Sequence, residues 1–135
     1  PEKGEALAEV KKENVEKLLI KEIEKEAQAP FINLVEYILY LKGQENTIRE
    51  LQVIADYFER LLDGMVYELF FAAEMKAEKC EILRYTQNLP QISTANEGKE
   101  LIKKEFERMY APHHPVRNAL LNMTLCPSIK IIEQK

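Results

Sequence analysis

Apolar residues recur along this chain at steps of three and four, and the longest such stripe starts at Ile48. It runs through Leu51, Ile54, Ala55, Phe58, Leu61 and Leu62, and then meets Asp63-Gly64, a pair that usually marks a turn. The stripe does not stop there. Leu61, Met65 and Leu69 stand four apart, as do Leu62, Val66 and Phe70, so the phase is unbroken. A two-residue turn would reset it. Glycine inside a helix costs about 1 kcal/mol relative to alanine, which a long buried face absorbs. The pattern therefore predicts one helix from about 47 to about 71, with Gly64 as a flat spot where a neighbouring helix approaches closely. A helix pair broken at 63–64 is the alternative.

The other elements follow from the same spacing. Phe31, Leu34, Val35, Ile38, Leu39 and Leu41 form a wide stripe after Pro30. Proline is tolerated at a helix start, and Gly43 suits a helix end. Thr47 and Glu50 fit a capping box, with Asn46 as a competing cap. Upstream, Ala8, Val15, Leu18, Leu19 and Ile23 predict a helix over 5–27, or an extended lead-in around "LLIKEI". Downstream the signals weaken. A helix is expected over 72–86, ended by Leu89-Pro90. Another starts at Thr94 or Asn96, with Leu101, Ile102, Phe106, Met109 and Tyr110 inward. "APHHP" breaks it, Pro115 opens a short helix through about Asn122, and Pro127 breaks again. "SIKIIEQ" alternates enough for a short strand or an extended tail. The predicted fold is all-α: an irregular bundle of about five helices forming a single module over 1–135, with a short extended C-terminal tail as an option.

Composition sharpens this picture. The 135 residues fit one domain. Gly is scarce and Trp absent, while Lys and Glu abound, as in helical proteins. Cys80 and Cys126 are far apart and in no C-x-x-C frame, which reads as reduced thiols in a cytoplasmic protein; a secreted disulfide is the alternative. No apolar run approaches the roughly 20 residues of a membrane span, so no membrane partner is expected. The opening "PEKGEALAE" reads as the cut end of a longer protein. The net charge of −4 is uneven, at −2 over 1–29, −5 over 30–98 and +3 over 99–135. A nucleic acid attracts clustered positive charge, so only the last third suits one.

Candidate chemistry is sparse. "HHPVRN" places His113 and His114 side by side, but adjacent residues rarely aim both rings at one ion. Its plainer readings are a loop before a proline-started helix, with His114 as a cap, or contact with DNA phosphates by Lys103, Lys104, His113 and Arg117. Glu36, Asp56, Asp63 and Glu68 lie in or near the apolar stripes, where ion pairs to Arg49 or Arg60 are expected rather than acid–base catalysis. Tyr37, Tyr40, Tyr57 and Tyr67 are expected at the core edge with their hydroxyls at the rim. The sequence contains no G-x-G-x-x-G, Walker A, G-x-S-x-G or H-E-x-x-H motif.

"APFINLVEYILYLKGQ" followed by "YFERLLDGMVYELFF" resembles the helical C-terminal region of type II, type IIG-like restriction–modification DNA methyltransferases, the large single-chain kind with a TaqI-like specificity domain. In that family a helix of the form P-F-I-x-L-V-x-x-I-L precedes a variable linker. A second helix follows, with an acid, a small residue and V-Y-E-L. The matching residues are Pro30, Phe31, Ile32, Leu34, Val35, Ile38 and Leu39, then Asp63, Met65, Val66, Tyr67, Glu68 and Leu69. "HPVRNALLNMTLCPSIKIIE" also resembles the closing segment of some members. The likeness spans roughly 28–135 and is strongest over 28–71.

The resemblance implies a parent enzyme that binds a short DNA sequence and moves a methyl group from S-adenosylmethionine to the exocyclic amine of adenine. In some members it also implies a fused endonuclease. The Asn/Asp-Pro-Pro-Tyr/Phe motif, the glycine-rich cofactor motif and the nuclease cluster are missing from these residues, so no catalytic residue carries over and no cofactor is expected in this chain. Its expected partners are the rest of that enzyme and, through it, double-stranded DNA. The alternative is a helical module for protein–protein interaction or dimerisation.

Overall fold

A computed structural model describes residues 25–43, 49–92 and 95–133. The expected helix over 5–27 and the capping box at Thr47 lie largely outside them. The described residues are all-α, with no strand among them: α1 (Lys25–Lys42), α2 (Arg49–Phe70), α3 (Ala72–Ala77), α4 (Ala95–Tyr110), α5 (Pro115–Leu125) and α6 (Pro127–Glu133). A 3-10 turn, Leu83–Tyr85, interrupts the connection between α3 and α4.

The predicted long helix is α2, which runs through Gly64 without a break. It buries Leu51, Ile54, Ala55, Phe58, Leu61, Leu62 and Met65. At Gly64 the expected close approach is present. A side chain there would overlap the Ile82 methyl end and lie 3.1 Å from Met123 Sδ on α5. Glycine is kept at this crossing because two neighbours occupy the space of its missing Cβ.

Helix α1 lays Phe31, Leu34, Ile38 and Leu41 against α2. Its Tyr37 ring meets Phe58 at 5.8 Å. Two expectations change here. Pro30 is inside the helix and buried, not at its start. The missing amide hydrogen of proline costs one helical bond, and packing of Pro30 beside Phe31 in the core offsets it. Leu39, counted in the stripe, is instead exposed, as is Ile32.

The C-terminal half departs further from the periodic pattern. Residues 72–86 are not one helix. Phe71 breaks the α2 path with ψ of 46°, α3 lasts six residues, and Lys79 adopts a left-handed φ of 59°. Local spacing loses here because Glu68 Oε1 accepts hydrogen bonds from the Ile82 and Leu83 amides, which fixes this stretch as a non-helical turn. "SIKIIEQ" is not extended: residues 127–133 form α6. Pro127 is suited to a first helical position, Ile129 is buried, and Arg60 and Tyr67 of α2 hold Glu133. Helix α5 also outlasts its predicted end, reaching Leu125.

Candidate functional site

The His-His-Pro stretch builds the junction between α4 and α5. His114 is the N-cap of α5: its Nδ1 accepts the Val116 amide hydrogen at 3.1 Å, with Pro115 at the first helical position. This matches the capping role read from the sequence. An accepting Nδ1 places the ring proton on Nε2 in the neutral imidazole. Arg108 Nη1, 3.4 Å from Nε2, then faces a donor and repels a second proton. Burial first, then Arg108 and His113, hold the His114 pKa below its ordinary 6.5. Among the described residues no group of three or more His, Cys, Asp or Glu could hold a metal ion.

Two of the four residues expected to touch DNA have partners within the chain. Lys103 Nζ lies 3.5 Å from Glu50 Oε1 on α2. Arg117 donates to the Tyr110 carbonyl at 3.0 Å and stacks its guanidinium 4.4 Å from the Tyr110 ring centre. That ring sits edge-on to Tyr57, which in turn meets Phe106 at 5.4 Å. Lys104 and His113 are exposed. At 100° per residue, Arg117 falls on one flank of α5, while Pro115, Asn118 and Asn122 fall on the other.

That other flank forms a cleft of about 370 Å³ between α5 and the turn after α3. Lys76, Lys79, Glu81 and Tyr85 line one side, and His113 and Asn118 the other. Tyr85 is set edge-on to the His114 ring at 6.2 Å, and the guanidinium carbon of the adjacent Arg84 lies 5.9 Å from the Tyr85 ring centre. Lys76 and Lys79 escaped the sequence reading because they belong to a stretch with more acids than bases, "EMKAEKCE". Only the tertiary fold brings them to His113.

The expected acid–arginine pairs are present in part. Arg60 reaches Asp63 at 3.8 Å and also binds Glu133. Glu68 instead serves the 82–83 backbone, while Glu36 and Asp56 are exposed. Tyr40, Tyr57 and Tyr67 lie partly buried at the core edge as expected, but Tyr37 is deeper. Tyr37 is fully buried and its hydroxyl donates to the Pro90 carbonyl. Tyr57 donates to the Met109 carbonyl at 3.0 Å, and burial pushes its pKa up to about 12. Both cysteines are buried and free. Burial, then Cys126 and Glu78, push the Cys80 thiol up to about 11, far from the thiolate that reactive cysteines need.

No helix among the described residues is long and apolar enough to cross a membrane. No family model, curated protein or solved structure matches the chain.

Proposed function

We propose that this chain is a non-catalytic helical module from the C-terminal side of a restriction–modification adenine methyltransferase. It braces the target-recognition domain of that enzyme and touches the DNA backbone. One observation carries the reading. The described parts of the two stretches that resemble the family, 29–43 and 57–71, pack face to face through Tyr37–Phe58 and the 2.9 Å Lys42–Glu59 pair. Their polar groups serve internal clamps. Tyr67 donates to Glu133 at 3.0 Å, and Glu68 accepts from Ile82 and Leu83. Residues common to the resemblance are thus spent on holding a shape, as a brace requires. S-adenosylmethionine would bind elsewhere in the parent enzyme.

The test mixes the isolated chain with duplex DNA and S-adenosylmethionine. Weak, salt-sensitive, sequence-independent binding without methyl transfer is expected. Alanine at Lys103, Lys104 or Arg117 should each lower the salt slope by about 1 where that side chain meets a phosphate. Robust methylation would sink the proposal.

A second reading has its own support. Leu121, Leu125 and Ile131 on α5 and α6 are more than half exposed, as is Phe70 at the end of α2. A dimerisation or docking module would bury such residues. Sedimentation over a range of concentrations separates the readings: a tight dimer abolished by Leu121→Lys and Leu125→Lys favours the second.

A further inference from the structure

The cleft between α5 and the turn after α3 gathers groups that the linear charge distribution keeps apart. Lys76 and Lys79 come from the acidic two thirds of the chain, and His113 and Asn118 from the basic third. Among the described residues no carboxylate pairs with either lysine. Glu81 is the single acid of the lining, so the charge balance stays positive.

The turn at Lys79 is tied to the opposite wall of the cleft. Its φ of 59° belongs to the left-handed region, which glycine or asparagine enters more easily than lysine. The turn is nevertheless pinned there. The Lys79 amide donates to Lys76 O at 3.2 Å, and Asn122 Nδ2 on α5 donates to Lys79 O at 3.0 Å. Lys79 follows the α3 C-cap Glu78, a place where many helices end on a left-handed residue. The Asn122 bond ties this turn to α5, so Lys79 lines the cleft from a turn joined to its opposite wall.

From this we infer that the cleft is a phosphate-binding site whose occupant in the parent enzyme is a phosphodiester of the DNA backbone. The identity of that occupant rests on the methyltransferase reading; the phosphate chemistry does not. Lys76 and Lys79 supply the charge, Asn118 and the His113 ring supply hydrogen bonds, and Tyr85 and Pro115 offer apolar surface to the adjoining sugar. A volume of about 370 Å³ exceeds one phosphate and suits a phosphate with its flanking sugar.

The test uses the full chain, the Lys76→Gln/Lys79→Gln double variant and Lys42→Gln as a control. Glutamine keeps much of the reach and removes the charge. Exposed positions of this kind leave the fold intact, which matching melting curves verify. Binding of a labelled duplex is followed across salt concentrations, and inorganic phosphate is titrated into isotope-labelled protein. The double variant should lower the salt slope by about 2, one for each lysine, and the control should not. Phosphate should move the His113 ring and Asn118 amide signals in the parent chain but not in the double variant. Phosphate-induced shifts without duplex binding would uphold the site and overturn its DNA occupant, and with it the DNA contact proposed above. Duplex binding whose slope ignores the double variant, with no phosphate-induced shifts, would overturn the cleft and leave that contact standing. Silence in both arms would overturn both.

Discussion

The α1–α2 pair and the segment from α3 to α6 share one hydrophobic core but differ in how their backbone groups are satisfied. The first is two long helices meeting through Phe31, Leu34, Tyr37, Ile38 and Leu41 on one side and Leu51, Ile54, Phe58, Leu61 and Met65 on the other. The second joins α4 to shorter helices and turns; it buries Ile82, Ile102, Met109 and Met123 in that core, and several of its backbone groups are satisfied by side chains reaching out from the first. Asn33 donates to Leu89 O at 2.9 Å, Tyr37 to Pro90 O and Tyr57 to Met109 O, while Glu68 accepts from residues 82 and 83. Buried burial area is non-directional and tolerates variation in detail; hydrogen-bond clamps are directional, and each leaves a stranded polar group when cut. The first region is therefore a spine, and the second is an attached face that also carries the cleft.

The largest effect is expected where both regions share a residue. Phe58 is fully buried and its ring meets Tyr37, Tyr57 and Phe106. Phe58→Ala should cost about 4 kcal/mol in urea unfolding. A loss under about 1 kcal/mol would show that the spine is not the stabilising element. Next comes Glu68→Ala, which strands the Ile82 and Leu83 amides and should cost about 2 kcal/mol. Glu68→Gln keeps an acceptor oxygen and should lose less. Equal losses from the two variants would mean that the clamp does not hold the turn.

A pH titration sharpens the comparison at the α5 cap. His114 has a folded pKa below its ordinary value, so its contribution is fully present above about pH 6.5 and is lost as pH falls through the lower folded value. Protonation of Nδ1 removes the acceptor for Val116. Unfolding free energy should thus decline on acidification from pH 7 toward 5. His114→Asn, which caps without titrating, should flatten that decline, while His114→Ala should cost about 1 kcal/mol at neutral pH. An unchanged acid limb in the asparagine variant would contradict the assignment. The smallest effect belongs to the partly exposed Lys42–Glu59 pair, where Lys42→Ala should cost under about 1 kcal/mol and the loss should shrink in high salt.

The same division decides what was legible in the sequence. Helix α2 could be read through Asp63-Gly64 because its stripe keeps phase on both sides, and the flat spot at Gly64 indeed meets Met123. The capping role of His114 was legible from Pro115 beside it. Residues 78–92 were not legible as a turn, because the groups that shape them lie far away in sequence, at Asn33, Tyr37 and Glu68. Nor was α6, whose short alternating pattern yields to burial of Ile129 and to the Arg60 and Tyr67 contacts on Glu133. For the candidate site, counting charge along the chain grouped Lys103, Lys104 and Arg117 with His113. The fold gives Lys103 and Arg117 internal partners and brings Lys76 and Lys79 to His113 instead.

Native-state hydrogen exchange of the whole chain tests the spine-and-face account most directly, because each amide reports the opening that exposes it. Amides around Leu34, Phe58 and Leu61 should exchange last, only through global unfolding, while those of residues 80–89 should exchange through a smaller opening that Glu68→Ala makes smaller still. Protection over 80–89 equal to that at Phe58, or helices α1 and α2 opening first, would contradict it.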